Sequence, residues 1–222
     1  MGWPKLLVFV RHAESEGNVR SADERAEFDV ATHAYRLTPK GERQAEITGE
    51  YMRQQFGEFD VYYRSYYRRV KSTLCHIYPD VKVYEDPRLA EASRGIWHTM
   101  TRAEIQKHMP WELVRKDREG LYHYRPPGGE NWPDVELRIH SFLGTLSRDY
   151  EGQKVLIVAH GFWLILFQRL IHHLSIEETI QRYKAGRFDN ASVTVYEGVV
   201  QDGKSRLCLM EENVVPWKGI IE

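Results

Sequence analysis

The segments Lys5–Val10 (KLLVFV) and Lys154–Ala159 (KVLIVA) each carry a short, unbroken apolar run. These two runs constrain the chain more than any other feature. A strand with one wet face alternates apolar and polar residues, whereas an unbroken run fits a strand covered on both faces. Each run ends at a histidine, the first at Arg11-His12 and the second at His160-Gly161. Open α/β sheets bind ligands at the carboxyl ends of their strands. Two such strands could therefore deliver both imidazoles to one pocket.

Helix and strand signals alternate between the runs. Thr38-Pro39 reads as a helix start, with Thr38 as the cap and Pro39 in the first turn. Ala45, Met52 and Phe56 follow on one stripe. A strand is expected over Asp60–Tyr63, a helix over about Tyr67–Tyr78 and a strand over Val81–Tyr84. Thr101-x-x-Glu104 and Ser175-x-x-Glu178 are capping-box patterns. A Pro/Gly-rich loop is expected between Gly120 and Pro133, ahead of a helix whose stripe is Val135, Ile139, Phe142 and Leu146. Another helix is expected from Phe162 to about Leu174. Ser192–Glu197 and Arg206–Met210 read as closing strands joined by a turn at Asp202-Gly203. The alternation implies an α/β fold, a three-layer sandwich with a mostly parallel sheet covered by helices on both faces. Residues 1–222 read as a single domain, with a helical and loop insertion at about 94–132 over the site.

The chain is long enough to bury a sizeable core, at 222 residues. Its 31 Lys+Arg against 32 Asp+Glu give no global reason to expect nucleic acid or an anionic membrane as partner. Cys75 and Cys208 lie far apart and outside any metal-ligand pattern, which fits buried free thiols in a reducing compartment. The amino-terminal apolar run is too short for a signal peptide. The apolar stretch Phe162–Phe167 is interrupted by Gln168 and Arg169, too early to span a bilayer. A cytoplasmic protein is expected. Oligomeric state is open, with a homodimer possible.

The chemistry gathers on Arg11-His12-Ala13-Glu14-Ser15-Glu16-Gly17-Asn18. A phosphoryl acceptor needs an unprotonated imidazole nitrogen and cations that neutralise the phosphate. Arg11 offers a planar fork for phosphate oxygens, and Asn18 a donor from the following loop. Among ten histidines an Arg-His pair is weak evidence alone, and His160 alone fits a core or capping histidine equally well.

Together they are specific. Arg-His-x-Glu-Ser-x-x-Asn near the amino terminus, with Val-Ala-His-Gly far downstream, resembles the histidine phosphatase (phosphoglycerate mutase-like) superfamily, and its phosphatase-type branch in particular. Ser65-x-x-x-Arg69-x-x-x-Thr73 resembles the family segment that brings a second phosphate-binding arginine, here Arg69. Leu89-Ala90-Glu91, followed by Gly95 and Trp97, resembles the segment with the acid–base carboxylate. Leu37-Thr38-x-x-Gly41-x-x-Gln44-Ala45 matches a structural element, and Gly129-Glu130 with Arg138, then Asn190, match weaker ones. Three departures stand out. Ala13 replaces the usual Gly, Trp97-His98-Thr99 replaces a Trp-Glu-Gly-like stretch, and Tyr66-Tyr67 replaces smaller residues.

The resemblance implies His12, Glu91 and His160 as catalytic residues, and Arg11, Asn18, Arg69 and Gly161 as phosphate-binding ones. Ser15, Tyr66 and Arg125 are expected to touch the rest of a small phosphorylated substrate. No metal and no cofactor is expected. The implied reaction is phosphomonoester hydrolysis through a phosphohistidine. A mutase returning the phosphoryl group to a second hydroxyl is the alternative, and a non-catalytic phospho-ligand binding protein a third.

Overall fold

The structure is a computed structural model that describes residues 2–186 and 188–221. In chain order it runs β1 (Leu6–Arg11), α1 (Ala22–Glu27), α2 (Pro39–Phe56), β2 (Val61–Arg64), α3 (Arg68–Ile77), β3 (Val83–Glu85), α4 (Arg102–His108), α5 (Pro110–His123) and α6 (Trp132–Asp149). It continues through β4 (Lys154–Ala159), α7 (Gly161–His172), α8 (Ile176–Ala185), β5 (Val193–Gln201) and β6 (Lys204–Val214). The six strands form one sheet in the order β3-β2-β4-β1-β5-β6. β1, β2, β3 and β4 pair in parallel, and β5 and β6 add an antiparallel edge.

The unbroken apolar runs are buried on both faces, as expected. Leu7, Phe9, Val155 and Ile157 face a core formed with Val135, Ile139 and Phe142 of α6 and with Trp163 and Phe167 of α7. Val8, Val10, Leu156 and Val158 face the opposite core, with Met52 of α2 and Val70, Leu74 and Ile77 of α3. Fully burying one such side chain stabilises by about 1.5–3 kcal/mol, so a polar residue in either run would unseat a whole face.

Register then decides where the site lies. Arg11 pairs with Ala159 across β1 and β4, and Arg64 with Val158 across β2 and β4. His12, His160 and the Ser65–Arg69 segment therefore leave the sheet side by side at one edge.

Several boundaries differ from the sequence reading. α5 runs on to His123, with a break at Gly120 (φ 73°) where the loop was expected to begin. α6 starts at Trp132 under an Asn131 capping box, with Pro133 in its first turn. The 94–132 segment mixes helix and loop as expected, with a 3₁₀ turn at Gly95–His98, then α4 and α5, then a loop over residues 124–131. The sequence reading also lacked α1 and the 3₁₀ turn at Thr32–Ala34. Both cysteines are unbridged, but Cys75 is exposed rather than buried because it sits on the outer side of α3. Among the described residues no helix is long and apolar enough to cross a membrane.

Candidate active site

The loop after β1 is clamped before any ligand arrives. The Glu14 carbonyl accepts from Thr38 N–H at 3.0 Å, and Gln44 Oε1 accepts from Glu14 N–H at 2.9 Å. A Cβ at Gly41 would lie 2.0 Å from the Glu14 oxygen, so only glycine lets α2 press against this loop. Thr73 Oγ1 accepts from Ala13 N–H at 3.0 Å and donates to the Arg69 carbonyl at 2.7 Å. Asn190 Nδ2 donates to the His12 carbonyl at 2.9 Å. Ala13 is buried and absent from the positive-φ positions, so its extra methyl costs the backbone nothing.

His12 and His160 are 4% and 1% exposed, with ring centroids 5.4 Å apart. His12 Nδ1 lies 2.8 Å from the Ala13 carbonyl, which can only accept, so this nitrogen carries the proton. The lone pair is left on Nε2, where Arg69 Nε donates at 3.1 Å. Arg69 Nη2 reaches His160 Nδ1 at 3.2 Å, and His160 Nε2 meets Ser65 Oγ at 3.0 Å. A guanidinium only donates. The cleft-facing Nδ1 of His160 is therefore an acceptor in this state, and its proton sits on Nε2.

Electrostatics favours both neutral rings. Burial, then the charges of Arg69 and Arg11, hold His12 well below its ordinary range, against the raising effect of the Ala13 carbonyl. Burial, then Arg69, lowers His160 likewise. Arg69 itself is buried and anchored by Nη1 to the Thr32 carbonyl at 2.8 Å, with the Tyr67 ring 4.5 Å from its guanidinium carbon. Arg11 donates to the Phe188 carbonyl.

Arg11, His12, Ser15, Asn18, Arg69, Glu91 and Gly161 line one cleft. Gly161 opens α7, whose amino terminus faces this space. Ser15 is buried and donates through Oγ to Asn18 Oδ1 at 2.8 Å, which orients the Asn18 amide. Glu91 sits in the loop after β3, where Arg138 Nη1 holds the Arg88 and Ala90 carbonyls at 2.8 and 2.7 Å. Glu130 in turn accepts from Arg138 Nε at 2.9 Å, which gives the weaker Glu130/Arg138 segment its physical role.

Two expected substrate contacts lie outside the cleft wall. Tyr66 is 39% exposed and does not line the cleft; its neighbour Tyr67 does, because extended backbone before α3 sends successive side chains to opposite sides. Arg125 pairs with Asp134 in the first turn of α6, and by the same alternation Tyr124 and Pro126 face inward instead. The sequence reading missed Arg25, Thr32, Tyr35, Arg94 and His98 on the cleft wall. Among the described residues no three His, Cys, Asp or Glu side chains are grouped to hold a metal ion.

The chain resembles known proteins in sequence and in fold. Phosphoglycerate mutase-like protein AT74 of Arabidopsis thaliana is 29% identical over 231 residues, a match covering 94% of this chain and 65% of that protein. This chain thus spans just under two thirds of that relative's length. A 2,3-bisphosphoglycerate-dependent phosphoglycerate mutase of Gloeobacter violaceus is 34% identical over 180 residues, 78% of each chain. Among solved structures, the α-ribazole phosphatase of Shigella flexneri superposes with a TM-score of 0.72 at 21% identity, covering 95% of this chain and 98% of that one. A mycobacterial glucosyl-3-phosphoglycerate phosphatase gives 0.70 at 24% identity, covering 95% and 99%. Those identities speak to the fold. The sequence profile of the histidine phosphatase superfamily (branch 1) matches residues 7–211, and the chain belongs to that family of enzymes.

Proposed function

We propose that this chain hydrolyses a small phosphomonoester through a phosphohistidine on His12. The observation that carries the reading is the convergence of an unprotonated Nε2 on His12, the Arg69 fork and His160 on one buried point. A phosphate entering there takes over the Arg69 N–H groups that now point at the two rings. Its negative charge offsets the burial and cation effects on His160, so that ring gains a proton on Nδ1 and donates to the phosphate. His12 Nε2 forms a bond to phosphorus as the ester P–O bond breaks, and the leaving alkoxide takes its proton from Glu91. The Glu91 carboxylate then removes a proton from water. The water oxygen attacks phosphorus, the P–N bond breaks and inorganic phosphate leaves. Arg11 and Arg69 stabilise the charge on the transferring group, a role for which this scheme uses no metal.

Hydrolysis rather than return transfer is supported by access. The cleft opens into an adjoining chamber with which it shares Glu91, Ala92, Arg94 and Phe162, so water can follow the departing alcohol. Relatives named as mutases make the opposite outcome the one to test against. Phosphate release from a panel of monoesters, measured with and without a bisphosphorylated primer, separates them. A hydrolase releases phosphate without primer. Primer-dependent isomerisation with no phosphate release would assign a mutase.

A further inference from the structure

The space beyond the phosphate site carries more positive charge than one phosphate requires. Glu91 and Arg94 each line both the inner cleft and the outer chamber, so they mark the boundary between them. In the proposed reaction the ester oxygen sits at Glu91. A group attached close to that oxygen therefore emerges beside Arg94.

Arg94 is built in rather than draped. Its backbone bridges to Gly129, the Pro127 carbonyl accepts from Ile96 N–H at 3.1 Å, and the Ser93 carbonyl accepts from Glu130 N–H at 2.8 Å. The next residue, Gly95, has φ 50°, and a Cβ there would lie 2.0 Å from the Pro127 oxygen. The loop cannot shift without breaking this fit. Yet among the described residues the Arg94 guanidinium makes no hydrogen bond or ion pair, although the residue is half-buried. Of the three carboxylates on the outer wall, Glu91 is the acid–base group of the proposed reaction, and Glu130 and Asp23 are engaged elsewhere. Glu130 holds Arg138 and accepts from Ser93 N–H, and Asp23 accepts from Arg102 N–H at 2.9 Å. Arg102 and Lys116 add further cations to the outer wall. His98 registers the same crowding: burial, then Arg94, Arg25 and Arg69, lowers it to about 4. The remaining wall is apolar and aromatic, with Trp97, Leu121, Trp132 and Phe162.

We propose that Arg94 is a specificity-determining residue that receives a second anionic group on the leaving alcohol, close to the ester oxygen. The substrate class is then a phosphomonoester whose leaving group joins that anion to an apolar or aromatic body. A half-buried cation held without a counter-ion is disfavoured by desolvation, and a ligand anion relieves that cost. The inference rests on the phosphoryl site proposed above, so its test has one arm that requires no turnover.

In the binding arm, benzylphosphonate and meta-carboxybenzylphosphonate are titrated calorimetrically. Wild type should bind the carboxylated compound about 10- to 100-fold more tightly, the range of one charged hydrogen-bond pair. Arg94→Gln should erase that preference, so that the two compounds bind about equally, and Arg94→Lys should restore part of it. Equal or undetectable binding of both compounds by wild type, or a preference surviving in Arg94→Gln, overturns the proposal. In the turnover arm, phenyl, meta-carbamoylphenyl and meta-carboxyphenyl phosphates are compared, with the same order expected in kcat/KM. A preserved phosphonate preference with no ester hydrolysed would overturn the hydrolase reading and leave the Arg94 site standing.

Discussion

At the inner end of the cleft, Arg69 bonds to both His12 and His160, backbone carbonyls hold His12 and Arg69, and Ser65 Oγ holds His160, each residue leaving a paired strand or the first turn of a helix. At the outer end, Arg94 stands on a loop and is fixed through its backbone only, and Lys116 of α5 rests its ammonium on the face of Trp97, 4.3 Å from the ring centroid. The inner region is organised before substrate arrives, which suits a reaction whose charge changes must be met without rearrangement. The outer region keeps Arg94, a cation without a counter-ion among the described residues, and a broad apolar wall, which suits selection among leaving groups. Substitutions should therefore divide by region. Inner changes should reduce turnover of every ester, and outer changes should reorder esters.

The largest departure is expected at Glu91, on the boundary. Glu91→Gln should slow esters with poor leaving groups by about 10²–10⁴ and activated aryl esters far less, because a good leaving group needs little protonation. Equal losses for both ester types would remove Glu91 from the acid role. Arg138 should act through it as a positioning residue, since it holds the Arg88 and Ala90 carbonyls on either side of Leu89. Arg138→Leu should cost about 10- to 100-fold through misplacement, again more for poor leaving groups. A loss independent of the leaving group would reduce Arg138 to a purely structural part.

Acid should weaken the empty protein through both regions. His12 and His160, and His98 at about 4, all resist protonation more than they do in the unfolded chain. A depressed folded-state value means that stability is complete above the unfolded value of about 6.5 and is lost as pH falls toward the folded one. The melting temperature should thus be level above neutrality and decline as pH drops from about 6.5 toward 4. His98→Asn should flatten part of that decline. A melting temperature that rises on acidification through this window would contradict the burial of neutral rings. The smallest effects belong to Tyr66→Ala and Arg125→Ala, whose side chains lie outside the cleft. Each should change kcat/KM by less than about 2-fold, and a larger shift would return that residue to the substrate path.

The same division governs what was legible in the sequence. Part of the inner site has a backbone cause, the two unbroken runs that end at His12 and His160, whereas Arg69 and Glu91 come only from the family resemblance of the Ser65-x-x-x-Arg69-x-x-x-Thr73 and Leu89-Ala90-Glu91 segments. Arg11, Asn18, Glu91 and Gly161 all line the same cleft. The outer chamber could not be read in this way. Whether Tyr66 or Tyr67, and Arg125 or its neighbours, faces inward depends on extended backbone whose phase no periodicity reveals. Arg94 and His98 face the cleft because the 93–95 loop docks on residues 127–130, a tertiary contact with no local signal beyond Gly95 itself. α1, which has no buried residue, offered no apolar stripe to detect.

The most direct test of the central proposal is the intermediate. Brief exposure to a labelled phosphomonoester followed by an alkaline quench should leave acid-labile, alkali-stable phosphate on the wild-type protein, located at His12 by peptide mapping. His12→Ala should carry none and should not turn over. Label that persists in His12→Ala, or maps to another residue, would contradict a phosphoryl transfer through the His12 imidazole.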